Sequence, residues 1–130
     1  MTNSINQPWA ISDKFRVKYG DVWADLDFVF NEKISAEVFK EDPMNTEIGC
    51  LEIFNQRIKL QYKDLLRLSK SLNELYAKVV SEKPGKDFVY NVEIKSYSFS
   101  LRKHEIGRLA DTVSEASAST IRSYELGLYL

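Results

Sequence analysis

Two segments of this chain are near copies of one another. Residues 50–75, CLEIFNQRIKLQYKDLLRLSKSLNEL, align without a gap on residues 91–116, NVEIKSYSFSLRKHEIGRLADTVSEA, at an offset of 41 residues. Six of the 26 aligned positions are identical, and apolar residues coincide almost throughout. Because apolar spacing is the main sequence signal for local structure, the two segments are expected to fold alike.

Both copies change their apolar period in the same way. Apolar residues first alternate with polar ones, as in two half-buried strands: Leu51, Ile53, Ile58 and Leu60, then Val92, Ile94, Phe99 and Leu101. Phe88, just before the second copy, continues its alternation and is expected on the same strand face as Val92 and Ile94. Turns are predicted at Asn55–Gln56 and Lys95–Ser96. Helical spacing follows, which predicts helices over about 62–81 and from about Lys103. Gly107, inside the second helix, indicates close approach of a neighbouring element.

The rest of the chain surrounds these two hairpin–helix units. Residues 1–13 read as a polar arm, and 14–48 as an N-terminal hairpin and loop turning at Gly20–Asp21. Within that loop, 34–39 fits a short strand or a helical turn. The units themselves span 49–82 and 87–119. Residues 120–130 fit a closing strand or the end of a helix.

These elements predict one fold class. An isolated hairpin is marginal in water, so the hairpins must share a sheet, and the helices must cover its apolar face. We expect a single α+β domain over residues 1–130, with two layers, an antiparallel sheet of about five to seven strands and two helices on one face.

Composition indicates a soluble, cytoplasmic protein. No apolar run exceeds three residues, and the N-terminus resembles no signal peptide, so neither a membrane span nor secretion is expected. Cys50 is the single cysteine, which excludes an intrachain disulfide. Charge is uneven: residues 1–56 hold 5 basic and 10 acidic side chains, and residues 57–130 hold 13 and 9. This division fits an ordinary mixed surface or a basic face for an anionic partner.

Candidate catalytic residues do not form a recognisable set. Asp25 and Asp27 share a strand face but have no further oxygen ligand at suggestive spacing. Glu93-Ile94-Lys95, with Asp87 upstream, is a short version of the acidic-x-Lys element of metal-dependent nucleases. His104 and Cys50 lack partners for nucleophilic catalysis. No enzyme, cofactor or metal site is therefore predicted, and a nuclease is the third hypothesis.

The sheet face opposite the helices offers a binding surface. Its basic and aromatic side chains, on strands and turns of both units, suit single-stranded DNA or RNA, because bases stack on rings and cations neutralise phosphates: Phe54, Arg57, Lys59, Lys95 and Arg102. The same pattern also fits a solvated face or a face used for self-association.

One resemblance concerns architecture. Strands leading directly into a helix, as in RIKLQYKDLLRLSKSL, resemble the β-meander-plus-helix of Whirly-type and positive-cofactor-type single-strand binders, over roughly residues 14–80. The resemblance implies single-stranded nucleic acid as a partner.

We expect first a small non-catalytic binding or regulatory module that acts through protein–protein contacts. Exposed sheet edges favour another protein, or a second copy of the chain, as its partner. A single-stranded nucleic-acid-binding protein is the alternative.

Overall fold

The computed structural model describes residues 12–30 and 36–125, and these form an α+β fold. The strands are β1 (Ser12–Tyr19), β2 (Val22–Phe30), β3 (Glu47–Ile53), β4 (Gln56–Gln61), β5 (Tyr90–Ile94) and β6 (Tyr97–Leu101). The helices are α1 (Ala36–Glu41), α2 (Tyr62–Val79) and α3 (Lys103–Glu125), with a 3₁₀ turn at Pro43–Asn45. The predicted α+β class is confirmed, and the described strand count lies within the predicted range.

The six described strands make one antiparallel sheet in the order β4-β3-β2-β1-β6-β5. The N-terminal hairpin lies in the middle, and the two later hairpins flank it. Among the described strands, β4 and β5 therefore form the edges. The sheet curls, so that Lys95 beside one edge reaches the backbone of Lys59 in the other.

One face of the sheet is apolar and packs with α2 and α3 into a single buried cluster. Phe15, Phe28, Leu51, Phe99 and Leu101 contribute from the strands and are fully buried. Leu65, Leu72, Ile106, Leu109 and Val113 complete the cluster from the two helices. Burying each such side chain stabilises the fold by about 1.5–3 kcal/mol, so this cluster is its main support.

The sheet has a narrow seam between β1 and β6. Within the described part of the chain, one residue pair, Lys18 with Ser100, joins these strands. Eight pairs join β1 to β2. The chain leaves β6 after Leu101 and enters α3 at Lys103, so the first turn of α3 lies where a longer β6 would have continued.

The element boundaries follow the 41-residue offset. β3 and β5 end at Ile53 and Ile94, β4 and β6 begin at Gln56 and Tyr97, and α2 and α3 begin at Tyr62 and Lys103. Both hairpin–helix segments thus form as predicted; their common origin stays a prediction.

Several local predictions need correction. The first turn is Phe54–Asn55, one residue earlier than predicted, because both residues adopt positive φ (53° and 71°), as a tight hairpin turn of type I′ requires. Phe88 was expected on the β5 face but lies before that strand, 53% exposed. The ambiguous segment is helical from Ala36.

The structure describes part of each end of the chain. Residues 120–125 continue α3, which agrees with the helical alternative for them. Ser12 and Asp13, expected in the arm, begin β1. The remainder of the arm and residues 126–130 lie outside the described residues. Among the helices of residues 36–125, none is long and apolar enough to cross a bilayer.

Candidate binding cleft beside strand β4

The five residues proposed for the sheet face are divided between strand β4, the two hairpin turns and the end of β6. Arg57 and Lys59 point outward from β4 and are exposed. Arg102 follows β6, with its guanidinium 4.2 Å from the ring centre of Trp23 and 3.6 Å from Asp87. Phe54 and Lys95 occupy the two hairpin turns rather than the strands. Phe54 stacks on Tyr19, at 6.1 Å between ring centres.

The outer sheet face is occupied by cross-strand ion pairs. Arg16 lies 3.2 Å from Asp25, Lys14 lies 3.8 Å from Asp27, and Arg57 lies 2.7 Å from Glu52. Exposed pairs of this kind add little to stability, because water and salt screen them. They nevertheless place a carboxylate beside each of these three cations, which lowers the attraction of this face for phosphate.

The remaining catalytic candidates are dispersed. His104 is exposed on α3, and Asp87 lies in the loop before β5. Cys50 is half-buried on the outer face, where burial, and then the charge of Glu52, raise the pKa of its thiol. Among residues 12–30 and 36–125, no group of three or more His, Cys, Asp or Glu side chains is arranged to hold a metal ion.

A cleft of about 350 Å³ lies beside the N-terminal half of α2. Four residues of α2 form one wall: Asp64, Arg67, Leu68 and Ser71. The end of β5 and its turn form the other: Glu93, Ile94 and Lys95. We call this the β4-edge cleft, because α2 starts directly after β4.

Lys95 bridges the two walls of the β4-edge cleft. Its Nζ donates to the backbone carbonyl of Lys59 (2.9 Å) and lies 3.4 Å from Asp64 Oδ2. Asp64 also accepts the backbone N–H of Gln61 (2.8 Å), which caps the start of α2 and fixes the carboxylate. Arg67, by contrast, has no ion-pair partner among the described residues.

The corresponding part of α3 holds strand β1. Glu105 Oε2 accepts the backbone N–H of Arg16 at 2.6 Å, and Arg108 binds Glu105 Oε1. Arg108 also donates to Asp13 Oδ1 (3.0 Å) and to the carbonyl of Lys14 (3.2 Å). The hydroxyl of Thr112 donates to Asp13 Oδ2 at 3.3 Å. One face of α3 thus binds both the backbone and a side chain of a strand.

The two helix faces correspond residue by residue. At the offset of 41, the α2 wall of the β4-edge cleft matches the α3 face against β1: Asp64 with Glu105, Arg67 with Arg108, Leu68 with Leu109, and Ser71 with Thr112. Sequence reasoning missed this site, because an arginine on an amphipathic helix is ordinarily solvated. The signal was the conservation of acid and arginine within the repeat, but only the strand order reveals what Glu105 and Arg108 contact.

A second cleft, of about 650 Å³, lies at the other end of α2. It is rich in basic and aromatic residues, which include Lys83, Lys86, Phe88, Arg102 and His104. Lys103, also in its lining, is engaged, because its Nζ donates to the carbonyls of Val80 and Glu82, both at 2.6 Å. We call this the basic cleft.

Comparisons with protein-family models, curated proteins and solved structures found no match to this chain, so the two clefts are interpreted from their own geometry.

Proposed function

We propose that this protein is a non-catalytic binding module that acts through protein–protein contacts, with the β4-edge cleft as its contact surface. The observation that carries the proposal is the correspondence between the α2 wall and the α3 face that holds β1. A helix face suited to holding a strand inside the fold is also suited to holding an extended segment of a partner.

The position of the cleft beside β4 supports this mode of binding. An edge strand presents backbone N–H and C=O groups with which a further strand can pair. Leu68 and Ile94 supply an apolar surface, and Asp64, Arg67 and Glu93 supply charges of both signs. Such a mixture favours recognition of a particular sequence over general adhesion.

Two tryptophan substitutions test the contact surface. Ser71→Trp fills the β4-edge cleft, whereas Lys70→Trp adds the same bulk one residue away, at an exposed position outside the cleft lining. Peptides selected from a displayed library for binding to the wild-type protein should bind the Lys70 variant equally. They should bind the Ser71 variant at least about tenfold more weakly, a loss of about 1.4 kcal/mol.

The proposal fails if no peptide is enriched, or if enriched peptides bind both variants equally. Thermal unfolding of each variant confirms that it is folded. Light scattering distinguishes the two kinds of partner. A mass near 15.1 kDa indicates a monomer, so that the partner is another protein, whereas twice that mass indicates that a second copy of the chain is the partner.

The alternative, a single-stranded nucleic-acid-binding protein, is favoured by the basic cleft. There Arg102, one of the five residues proposed from sequence, lies with further cations beside the exposed ring of Phe88. Fluorescence anisotropy with labelled DNA and RNA should then show binding that weakens as salt rises, because phosphate contacts release counterions. Lys83→Gln with Lys86→Gln should abolish that binding, whereas Arg57→Gln with Lys59→Gln, on β4, should not.

A further inference from the structure

We infer that the β4-edge cleft takes an extended segment of another protein with the pattern acidic-x-aromatic-x-apolar, the pattern that Asp13, Phe15 and Val17 form in β1. This inference rests on the proposed function and names the chemistry of the partner. It follows from three sets of contacts that α3 and β6 make with β1.

The first set concerns the acidic and aromatic positions. Arg108 binds the carboxylate of Asp13, and its guanidinium lies 4.8 Å from the ring centre of Phe15. One arginine thus selects an acid and an aromatic ring two residues apart, through a charge-assisted hydrogen bond and a cation–π contact. Its counterpart, Arg67, lines the cleft and has no such partner among the described residues.

The second set concerns the backbone of the incoming segment. β1 pairs with β6 at Ser100, and two residues earlier the Arg16 N–H donates to Glu105. The counterparts of Ser100 and Glu105 are Lys59 and Asp64. The Lys95 ammonium binds both of them, at the Lys59 carbonyl and at the Asp64 carboxylate.

Lys95 therefore takes the place of a strand donor at the cleft. Its side chain is 40% exposed, so it can move into water at small cost when an N–H group of a bound segment reaches Asp64 and the Lys59 carbonyl. The ammonium satisfies these acceptors in the unbound protein and competes with the segment.

The third set is apolar. Leu109 is fully buried in the core cluster that includes Phe15 and Val17 of β1. Its counterpart Leu68 is 5% exposed and lines the cleft together with Ile94. The aromatic and apolar residues of the segment would cover these two side chains. Burying the apolar surface of Leu68 and Ile94 adds affinity but does not favour an acidic residue in the segment. Selection of the acidic residue therefore depends on Arg67.

A peptide of residues 12–19, SDKFRVKY, with blocked ends is the direct probe, titrated into the isotope-labelled full chain and followed by NMR. We expect shifts confined to α2, β4 and the Lys95 turn. Asp13→Asn in the peptide should weaken binding about fivefold to wild-type protein and to the control variant Lys70→Gln. It should have no effect on binding to Arg67→Gln, because the acid then has no guanidinium to meet.

The variant Lys95→Met tests the displacement. It should tighten peptide binding by about fivefold, since the competing ammonium is gone. Unchanged or weaker binding would show that Lys95 is no competitor. If Lys95 instead contacts nucleic acid, Lys95→Met should weaken the binding of nucleic acid.

The outcomes separate the inference from the function on which it rests. If the display selection yields cleft-dependent peptides but SDKFRVKY does not bind, the assigned chemistry is wrong and the binding module stands. The same conclusion follows if Asp13→Asn in the peptide weakens binding equally to the wild-type protein and to the Arg67→Gln variant. If no cleft-dependent peptide emerges at all, the proposed function itself fails.

Discussion

Glu105 lies buried in the first turn of α3, yet both of its carboxylate oxygens are bonded. One accepts the backbone N–H of Arg16, and the other is bound by Arg108. A buried carboxylate is costly unless it is paired and hydrogen-bonded. Here the Glu105 carboxylate also accepts the Arg16 N–H of β1, which has no backbone acceptor in a neighbouring strand of the described sheet. One side chain thus forms bonds within α3 and between α3 and β1.

Removing this carboxylate should be strongly destabilising. Glu105→Ala leaves the Arg16 N–H without its acceptor and removes one of the three acceptors of Arg108, and we expect a loss of about 2–4 kcal/mol. Glu105→Gln keeps one oxygen and should lose roughly half as much. Urea unfolding measures both, with the exposed Glu115→Ala as the control. An equal, small effect for all three would contradict the assigned role.

Cys50 offers a test of the local electrostatics. Burial and the Glu52 carboxylate raise the pKa of its thiol, so less thiolate is present at a given pH. Alkylation by iodoacetamide should therefore rise at a higher pH than for a free cysteine peptide. Glu52→Gln should move the profile to lower pH, because it removes a negative charge; Glu93→Gln, on β5, should not. Mass spectrometry of the alkylated protein provides the rate.

At the scale of elements, α2 and α3 cross closely at Gly107. A Cβ placed on Gly107 would lie 2.9 Å from a ring carbon of Tyr76, nearer than side chains pack. Ser69 and Ser114 add a hydrogen bond of 2.7 Å between the helices. The glycine thus weakens α3 as a helix and permits its packing on α2, as the sequence pattern had indicated.

A double-mutant cycle separates these two effects. Gly107→Ala should destabilise the wild-type protein, because the Tyr76 ring must move. In a Tyr76→Ala background it should stabilise by about 1 kcal/mol, the helical preference of alanine over glycine. Thermal or urea unfolding of the four proteins gives the coupling. The same sign in both backgrounds would mean that the ring does not set the packing.

The elements were largely predictable because their signals are local. Apolar alternation located the strands, and the change of period located the starts of α2 and α3 within a residue. The turn at Phe54–Asn55 was misplaced by one residue because Asn55 is a residue typical of positive φ but Phe54 is not, so nothing in the sequence marked Phe54 as a turn residue. Phe88 was assigned to β5 on alternation alone, which cannot tell where backbone pairing begins.

At the scale of the molecule, the sheet divides unequally at the β1–β6 seam. Four residue pairs join β3 to β2, whereas one described pair joins β6 to β1. The contacts of Glu105 and Arg108 with β1 come from α3. Opening at this seam breaks fewer backbone hydrogen bonds than opening elsewhere in the described sheet.

Native-state hydrogen exchange should detect this difference. Amides of β6 are expected to exchange at least about tenfold faster than amides of β3, since both strands lie one place from an edge and differ in their inner neighbour. Glu105→Ala should increase this difference in exchange rate between β6 and β3. Equal protection of the two hairpins would contradict a weak seam.

The candidate site was less predictable than the fold, because it depends on strand order. The alignment contains Arg67 with Arg108 and Asp64 with Glu105, but it does not say that β1 lies against α3. That neighbour comes from the opposite end of the sequence, 89 residues away in the case of Arg16 and Glu105. No pattern of local spacing carries such information.

The central place of β1 also affects how the chain folds as it is synthesised. β1 leaves the ribosome well before its second neighbour, β6, and before the α3 residues that bind it, because Arg16 and Glu105 lie 89 residues apart. Until then, one side of β1 has no partner from this sheet and can pair with strands of other chains. The sheet is therefore completed only after residues 97–112 have been made, and slow synthesis of these residues prolongs the period in which the nascent chain can misassemble.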